Sequence, residues 1–472
     1  MRADSARTRA VVLALVAVGV GTACTEPEGR SLPVAAAADA LAQLQGTWQG
    51  EGELLGRPAQ FRMRWSELAD GRYVRLEFEN RFASDAEAAL SAVAYYPTGE
   101  GQAAGWWFDS RGERLSLQID AGDSRLAVEW SSPTERGRTI YQPTQDGVLV
   151  VDSVVRGGVL TEFARARYTT QPDPRPEMEG WITTEDGARM HYRVVGEGEQ
   201  TVVTPMEEFL TAALEPLARD RRLVFFDPLG RGASDATPLE AVSEDRQLRD
   251  LEALRVQLGL ERFTLLGWSG LGKLVARYAI AHPERVERIL LVSPVGPSSD
   301  PWPLEPGIPT RDEKVDRVAY EQLQADRASG AFGADSALAC RTENLILLPT
   351  SFVDRSMAHL VPDVCRFPNE WPERLYPYFG ALLGSFGTFD HRPAFRALDI
   401  PTLVIHGRED GIAVSGGRAW VEGQPGKRMV VLSPAGHFPF LEAPWAFLDA
   451  AEAFLAGDWP ENAELVPAGS AA

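Results

Sequence analysis

The chain has 472 residues, 44% of them apolar and 24% charged, and 47 lysines and arginines face 67 aspartates and glutamates for a formal net charge of −20. That length exceeds what one core fills and predicts several domains. So acidic a surface repels phosphate backbones and anionic headgroups, which excludes nucleic acid as an expected partner.

Arg2, Arg7 and Arg9 precede an unbroken apolar run from Ala10 to Val20, too short to cross a bilayer as a stable helix. Small residues then lead to a cysteine in Gly21-Thr22-Ala23-Cys24. This resembles the lipobox of bacterial lipoproteins. The resemblance implies removal of residues 1–23, acylation of Cys24, and export to the cell envelope with only a lipid anchor in the membrane. A plain secretory signal is the alternative. Two further cysteines remain, Cys340 and Cys365. In an exported chain they are expected to close a disulfide, worth about 3 kcal/mol for a loop of this length, against the alternative of two free thiols.

From 41 to 169 the pattern has period two, as in Phe61-Arg62-Met63-Arg64-Trp65 and Val74-Arg75-Leu76-Glu77-Phe78. Turn pairs such as Asp70-Gly71, Arg111-Gly112 and Asp146-Gly147 separate about nine expected strands, with one helical stretch over Asp85 to Ala94. A closed antiparallel barrel or a sandwich follows. The opening Leu44-Gln45-Gly46-Thr47-Trp48-Gln49-Gly50-Glu51-Gly52 resembles lipocalin-like and nitrobindin-like barrels. Nitrobindin-type barrels hold haem through a histidine, but the first histidine here is His191, so haem is not expected. Trp106, Trp107 and Trp130 are read as barrel core in preference to a pocket lining.

Residues 170–177, with Pro172, Pro174 and Pro176, form a stiff spacer. After it, strand-like and helix-like segments alternate, which predicts a mainly parallel sheet covered by helices over 178–457. A hairpin spans Trp181 to Val195; buried strands are expected at Thr201–Thr204, Leu223–Phe226, Thr264–Leu266, Ile289–Val292, Thr402–Ile405 and Met429–Leu432. Glu244–Leu258 and Leu271–His282 have helical spacing. The tail over 458–472 reads as disordered.

An apolar strand runs through Leu265-Leu266 into Gly267-Trp268-Ser269-Gly270-Leu271-Gly272, with an amphipathic segment behind it. That strand–turn–helix context suits a nucleophilic serine at a helix N-terminus. A serine hydroxyl needs a base and an orienting acid. Asp410 follows the strand at Thr402–Ile405, with Glu409 as its rival, and His437 follows the strand at Met429–Leu432. The order Ser, acid, His and the loop placements, together with Asp227-Pro228-Leu229-Gly230-Arg231-Gly232-Ala233-Ser234, resemble α/β-hydrolases of the proline iminopeptidase-like branch. The resemblance covers about 178–457. It implies Ser269 as nucleophile, His437 as general base and Asp410 as its orienter, with a lid over about 297–395.

Two departures stand out. The usual Gly-x-Ser-x-Gly has Leu271 where its second glycine would be, and the His-Gly pair after the third strand is replaced by Thr204-Pro205-Met206-Glu207. Gly270 N–H is the expected oxyanion donor, and the amide of Met206 or Glu207 is the expected substitute for the second. Trp268, Glu343 and Glu370 are candidate substrate residues, the two glutamates as holders of a free amino terminus. The six histidines show no ligand spacing, so no metal or cofactor is implied. The expectation is hydrolysis of a small ester, amide or short peptide; a hydrolase-like binding protein is the alternative. Oligomeric state is not legible.

Overall fold

The computed structural model describes residues 40–68, 73–83, 88–98, 104–122, 125–170, 177–333 and 335–469. Cys24 and the proline-rich spacer at 171–176 lie outside them. The chain divides into two compact units, Met1–Thr170 and Gln171–Ala472.

The first unit is a closed barrel of ten antiparallel strands, from β1 (Gly46–Leu54) to β10 (Val159–Thr170). Inward positions alternate with outward ones, so Phe61, Met63 and Trp65 are buried on one strand and Ala164, Ala166 and Tyr168 on another. Closure depends on two glycines of the opening motif. A Cβ at Gly52 would lie 1.9 Å from the Arg165 carbonyl, and one at Gly50 would lie 2.8 Å from the Tyr168 ring. The helix expected over Asp85 to Ala94 is not formed: Leu90–Pro97 is a strand with Ala92, Ala94 and Tyr96 turned inward. Barrel context outweighs the local propensity of its alanines. Trp107 and Trp130 pack partly buried against the core, whereas Trp106 is exposed under the Arg114 guanidinium at 3.9 Å.

The second unit is built on one eight-stranded sheet. Its strands are β11 (Glu177–Thr183), β12 (Arg189–Val195), β13 (Thr201–Pro205), β14 (Arg222–Phe226), β15 (Phe263–Trp268), β16 (Val286–Val292), β17 (Thr402–Gly407) and β18 (Lys427–Leu432). They lie in the order β11-β12-β14-β13-β15-β16-β17-β18. β12 runs antiparallel to both its neighbours, and the strands from β14 to β18 are parallel. Each strand feeds both faces: Phe263 and Leu265 join one core, Leu266 and Trp268 the other. This two-sided burial explains why the central strands read as continuous apolar runs.

Helices α1 (Glu207–Leu214), α2 (Glu244–Gln257) and α3 (Gly270–Ala281) cover the sheet. Ser243 caps α2 by accepting the Arg246 N–H, with Glu244 and Asp245 in the first turn. Between β16 and β17 lies the expected insertion, with α4 (Arg317–Ser329), α5 (Ser336–Leu347) and α6 (Pro372–Phe386). Cys340 and Cys365 are disulfide-bonded across it, with Cα atoms 5.7 Å apart.

The segment after Asp458 is not the expected free tail. Glu464 exchanges both backbone hydrogen bonds with Met429, at 2.8 and 3.0 Å, and Val466 is buried. β18 is the edge of the sheet, and its unpaired outer side recruits the passing chain.

Candidate active site

The turn between β15 and α3 holds Ser269 at φ 58°, ψ −132°. A non-glycine residue with positive φ costs on the order of 1–3 kcal/mol and persists only where the surroundings enforce it. They do so here through close packing. A Cβ at Gly267 would fall 2.5 Å from Val275 Cγ2, and one at Gly272 would fall 2.9 Å from Pro294 Cβ. Gly270 has open space around it, so the glycine demanded by packing is Gly272, and Leu271 is accommodated at the turn.

Ser269 Oγ lies 3.0 Å from His437 Nε2. His437 Nδ1 lies 3.0 and 3.1 Å from the two Asp410 carboxylate oxygens. Asp410 is fully buried and also accepts the Ile412 N–H at 2.8 Å. Burial alone would raise its pKa, but the His437 ring and its hydrogen bond, with His406 behind, outweigh burial and hold it below the usual carboxylate value. Glu409, the rival acid, faces elsewhere: it accepts the Ser433 hydroxyl at 2.8 Å and the Ala435 N–H at 2.9 Å, bracing the loop that carries His437. His406 is wholly buried with Nε2 3.0 Å from the Ile412 carbonyl, and burial lowers its pKa.

Trp268 is buried. Its indole N–H donates to the His437 carbonyl at 2.9 Å, and its ring lies 5.1 Å from the imidazole and 4.9 Å from Phe438. It wedges the histidine loop in place.

The oxyanion expectation fails at its second donor. Gly270 is the first residue of α3, so no helical carbonyl takes its N–H. The Met206 N–H, however, donates to the Phe226 carbonyl at 2.8 Å, and the Glu207 N–H to Asp227 Oδ1 at 3.1 Å. Met206 itself sits at φ 70°, ψ 67°. With Thr204-Pro205-Met206-Glu207 in place of the His-Gly pair, the chain turns directly from β13 into α1, and strand β14 and its following loop absorb both amides.

The lid glutamates are likewise engaged. Glu370 forms a two-pronged ion pair with Arg231, both bonds 2.9 Å, and accepts the Gly232 N–H at 2.8 Å. Glu343 pairs with Arg327 at 3.0 and 3.2 Å and accepts the Tyr376 hydroxyl at 2.6 Å. Both are buried, and every carboxylate oxygen of the pair already accepts from an arginine.

A group that spacing did not reveal is His191, Glu207 and Asp227, whose ligand-type atoms lie within 4.8 Å of one another. Glu207 is already shared by His191 Nδ1 at 2.8 Å and Arg193 Nε at 3.0 Å, and Asp227 accepts the Glu207 and Ala233 N–H groups. An arginine in contact with a would-be ligand disfavours a cation there. Burial pushes Asp227 up to about 7.

The alpha/beta hydrolase fold family matches residues 207–444, half of the chain, and the protein belongs to that family. Among curated relatives, an Oryza sativa subsp. japonica protein named as a probable 1-acylglycerol-3-phosphate O-acyltransferase is 23% identical over 389 residues, 73% of this chain and 89% of that protein. The pimeloyl-[acyl-carrier protein] methyl ester esterase of Nitrosomonas europaea is 27% identical over 51% of this chain and 87% of its own length. A 2-hydroxy-6-oxononadienedioate/2-hydroxy-6-oxononatrienedioate hydrolase of Paraburkholderia xenovorans is 26% identical over 58% and 90%. A solved hydrolase from Pseudomonas aeruginosa is 24% identical, covering 59% of this chain and 98% of its own, at a TM-score of 0.43.

Proposed function

We propose that the protein is a serine hydrolase acting on small carboxylic esters through an acyl-enzyme. The observation that carries this reading is the unbroken line Ser269 Oγ, His437 Nε2, His437 Nδ1, Asp410, every step between 3.0 and 3.1 Å. Asp410 holds the Nδ1–H tautomer, so Nε2 accepts the Ser269 proton as Oγ attacks the carbonyl carbon. The oxyanion that forms meets the Gly270 N–H at the positive end of α3. Nε2–H then protonates the leaving alcohol, and water enters by the reverse route.

Esters are favoured over aminoacyl substrates because Glu343 and Glu370 are consumed by arginines. The methyl ester esterase among the relatives agrees with this class. The test is hydrolysis of p-nitrophenyl acetate and butyrate beside prolyl p-nitroanilide: turnover of the esters alone supports the reading, and turnover of the anilide alone contradicts it.

A second reading has one observation in its favour. With Met206 and Glu207 amides both committed, the site has one fixed oxyanion donor, as in a hydrolase turned binding protein. Export with a lipid on Cys24 is also proposed from the sequence, and the Cys340–Cys365 disulfide suits an oxidising compartment.

A further inference from the structure

We propose that Glu442 is a positioning residue that latches the lid to the histidine loop, and that its ionisation regulates the site. The proposal rests on the assignment of His437 as the base of that site.

Glu442 ends the short helix Pro439–Glu442 directly after His437. One carboxylate oxygen accepts the Gly436 N–H at 2.6 Å and the other accepts the Val353 N–H at 2.7 Å. Gly436 precedes His437, and Val353 belongs to the insertion between β16 and β17. The same two segments are joined by the His437 N–H, which donates to the Ser351 carbonyl at 2.9 Å, and by Phe352 stacked on Phe438 with centroids 4.8 Å apart and planes within 3°. They approach so closely that a Cβ at Gly436 would lie 2.5 Å from the Ser351 oxygen. The lid segment and the loop that aims His437 are therefore one packed unit, with a single carboxylate at its centre.

The chemistry of that carboxylate makes the unit switchable. An ionised carboxylate accepts at both oxygens, whereas a protonated one turns an O–H toward one of the two N–H groups. Ionisation strengthens both bonds but leaves a desolvated charge between the two segments, whereas protonation removes that charge and weakens one bond. Burial pushes Glu442 up to about 7, against the pull of its two N–H bonds, so the change falls in the neutral range. The charged groups acting on it are Asp410, after β17, which raises it, and Lys314, from the insertion, which lowers it. The loop itself contributes the His437 imidazole, and Glu409 is tied to Ser433 and Ala435. Because the latched carboxyl binds its proton more tightly than a solvated one, loss of that proton as pH rises favours opening, and lid opening gates access or release.

The test is hydrogen exchange on the full chain, followed in peptides containing Val353 and Gly436 at pH 5.5 and 8.5 after correction for intrinsic rates. Wild type, Glu442→Gln, Glu442→Asp and Ser269→Ala are compared. Wild type and Ser269→Ala are expected to lose protection in both peptides at the higher pH. Glu442→Gln is expected to exchange fast at both, with Glu442→Asp regaining part of the pH dependence. In ester turnover at pH 8, Glu442→Gln is expected to lower kcat about tenfold or more with KM within about twofold, as for a misaimed base. Equal, pH-independent protection in wild type and Glu442→Gln would overturn the latch. If Glu442→Gln does not fold, the wild-type pH dependence alone decides. Exchange that behaves as expected in a chain without ester turnover leaves the latch standing and removes the hydrolase reading.

Discussion

The Met206 amide is bonded to the Phe226 carbonyl at 2.8 Å, while Met206 itself holds a left-handed backbone at φ 70°. A strained residue whose N–H is aimed into the sheet leaves Gly270 as the fixed donor to any oxyanion at Ser269. Loss of one such donor costs a factor of about 10² to 10³ in kcat. The protein is therefore expected to turn over p-nitrophenyl esters readily and unactivated alkyl esters slowly, by about that ratio. Equal kcat/KM on p-nitrophenyl and ethyl butyrate, which reads acylation and not breakdown of the butyryl-enzyme common to both, would show that a second donor is recruited during the reaction.

Asp410 and Glu409 are adjacent but face different partners, and their substitutions are expected to separate. Asp410→Asn leaves the ring without its anionic orienter and is expected to reduce kcat about 10⁴-fold in a folded protein. Glu409→Gln loses a charged acceptor to the Ala435 N–H and is expected to cost about 1–2 kcal/mol of stability with a much smaller loss of kcat. Steady-state kinetics beside thermal melts of both variants read the difference directly.

Glu370 is expected to behave as a structural partner of Arg231. Removing it in Glu370→Ala leaves a buried guanidinium without its carboxylate, a loss of about 3–5 kcal/mol. An amine-binding role predicts instead a selective rise in KM for aminoacyl substrates at unchanged stability. Denaturant melts and KM values for both substrate types discriminate the two.

Buried carboxyls with raised pKa values contribute a pH-dependent part of the stability. Burial raises Asp227 and Glu442 to about 7 and Asp152 to about 6. Their folded pKa values exceed the unfolded ones, so the folded state binds more protons between about pH 4 and 7. Their contribution is fully present below the unfolded values and is lost as pH rises through the folded ones. Asp410 runs the other way, but its contribution fails only as pH falls below about 4. The midpoint of wild type relative to that of Asp227→Asn is therefore expected to fall from pH 5 to pH 8, since His391 and His406, both lowered by burial, act alike in the two proteins. Calorimetry of the two full-length proteins that showed this difference constant or rising over the range would contradict the assignment.

Most of the architecture was legible because its signals are local. Period-two alternation marked the barrel strands, continuous apolar runs marked β13 to β18, and a glycine-flanked serine after a strand marked the turn at Ser269. What stayed hidden depends on partners distant in sequence. Glu370 looks like a free lid acid until Arg231, 139 positions away, closes on it. The Met206 and Glu207 amides look available until β14 and Asp227 take them. Glu442 carried no signal of its own, since its role lies in joining Gly436 to Val353, 89 residues back. The final strand-like pairing of Glu464 was masked by a composition typical of disorder and arises from the open edge of β18.

The central claim is that Ser269 is an activated nucleophile, and a fluorophosphonate probe tests it most directly. Wild type, Ser269→Ala and His437→Ala are incubated with the probe, and the labelled peptide is located by mass spectrometry. The account predicts covalent phosphonylation at Ser269 in wild type, none in Ser269→Ala, and labelling slowed by orders of magnitude in His437→Ala. Wild type that stays unlabelled, or labels equally without His437, would contradict it and leave the binding-protein reading in its place.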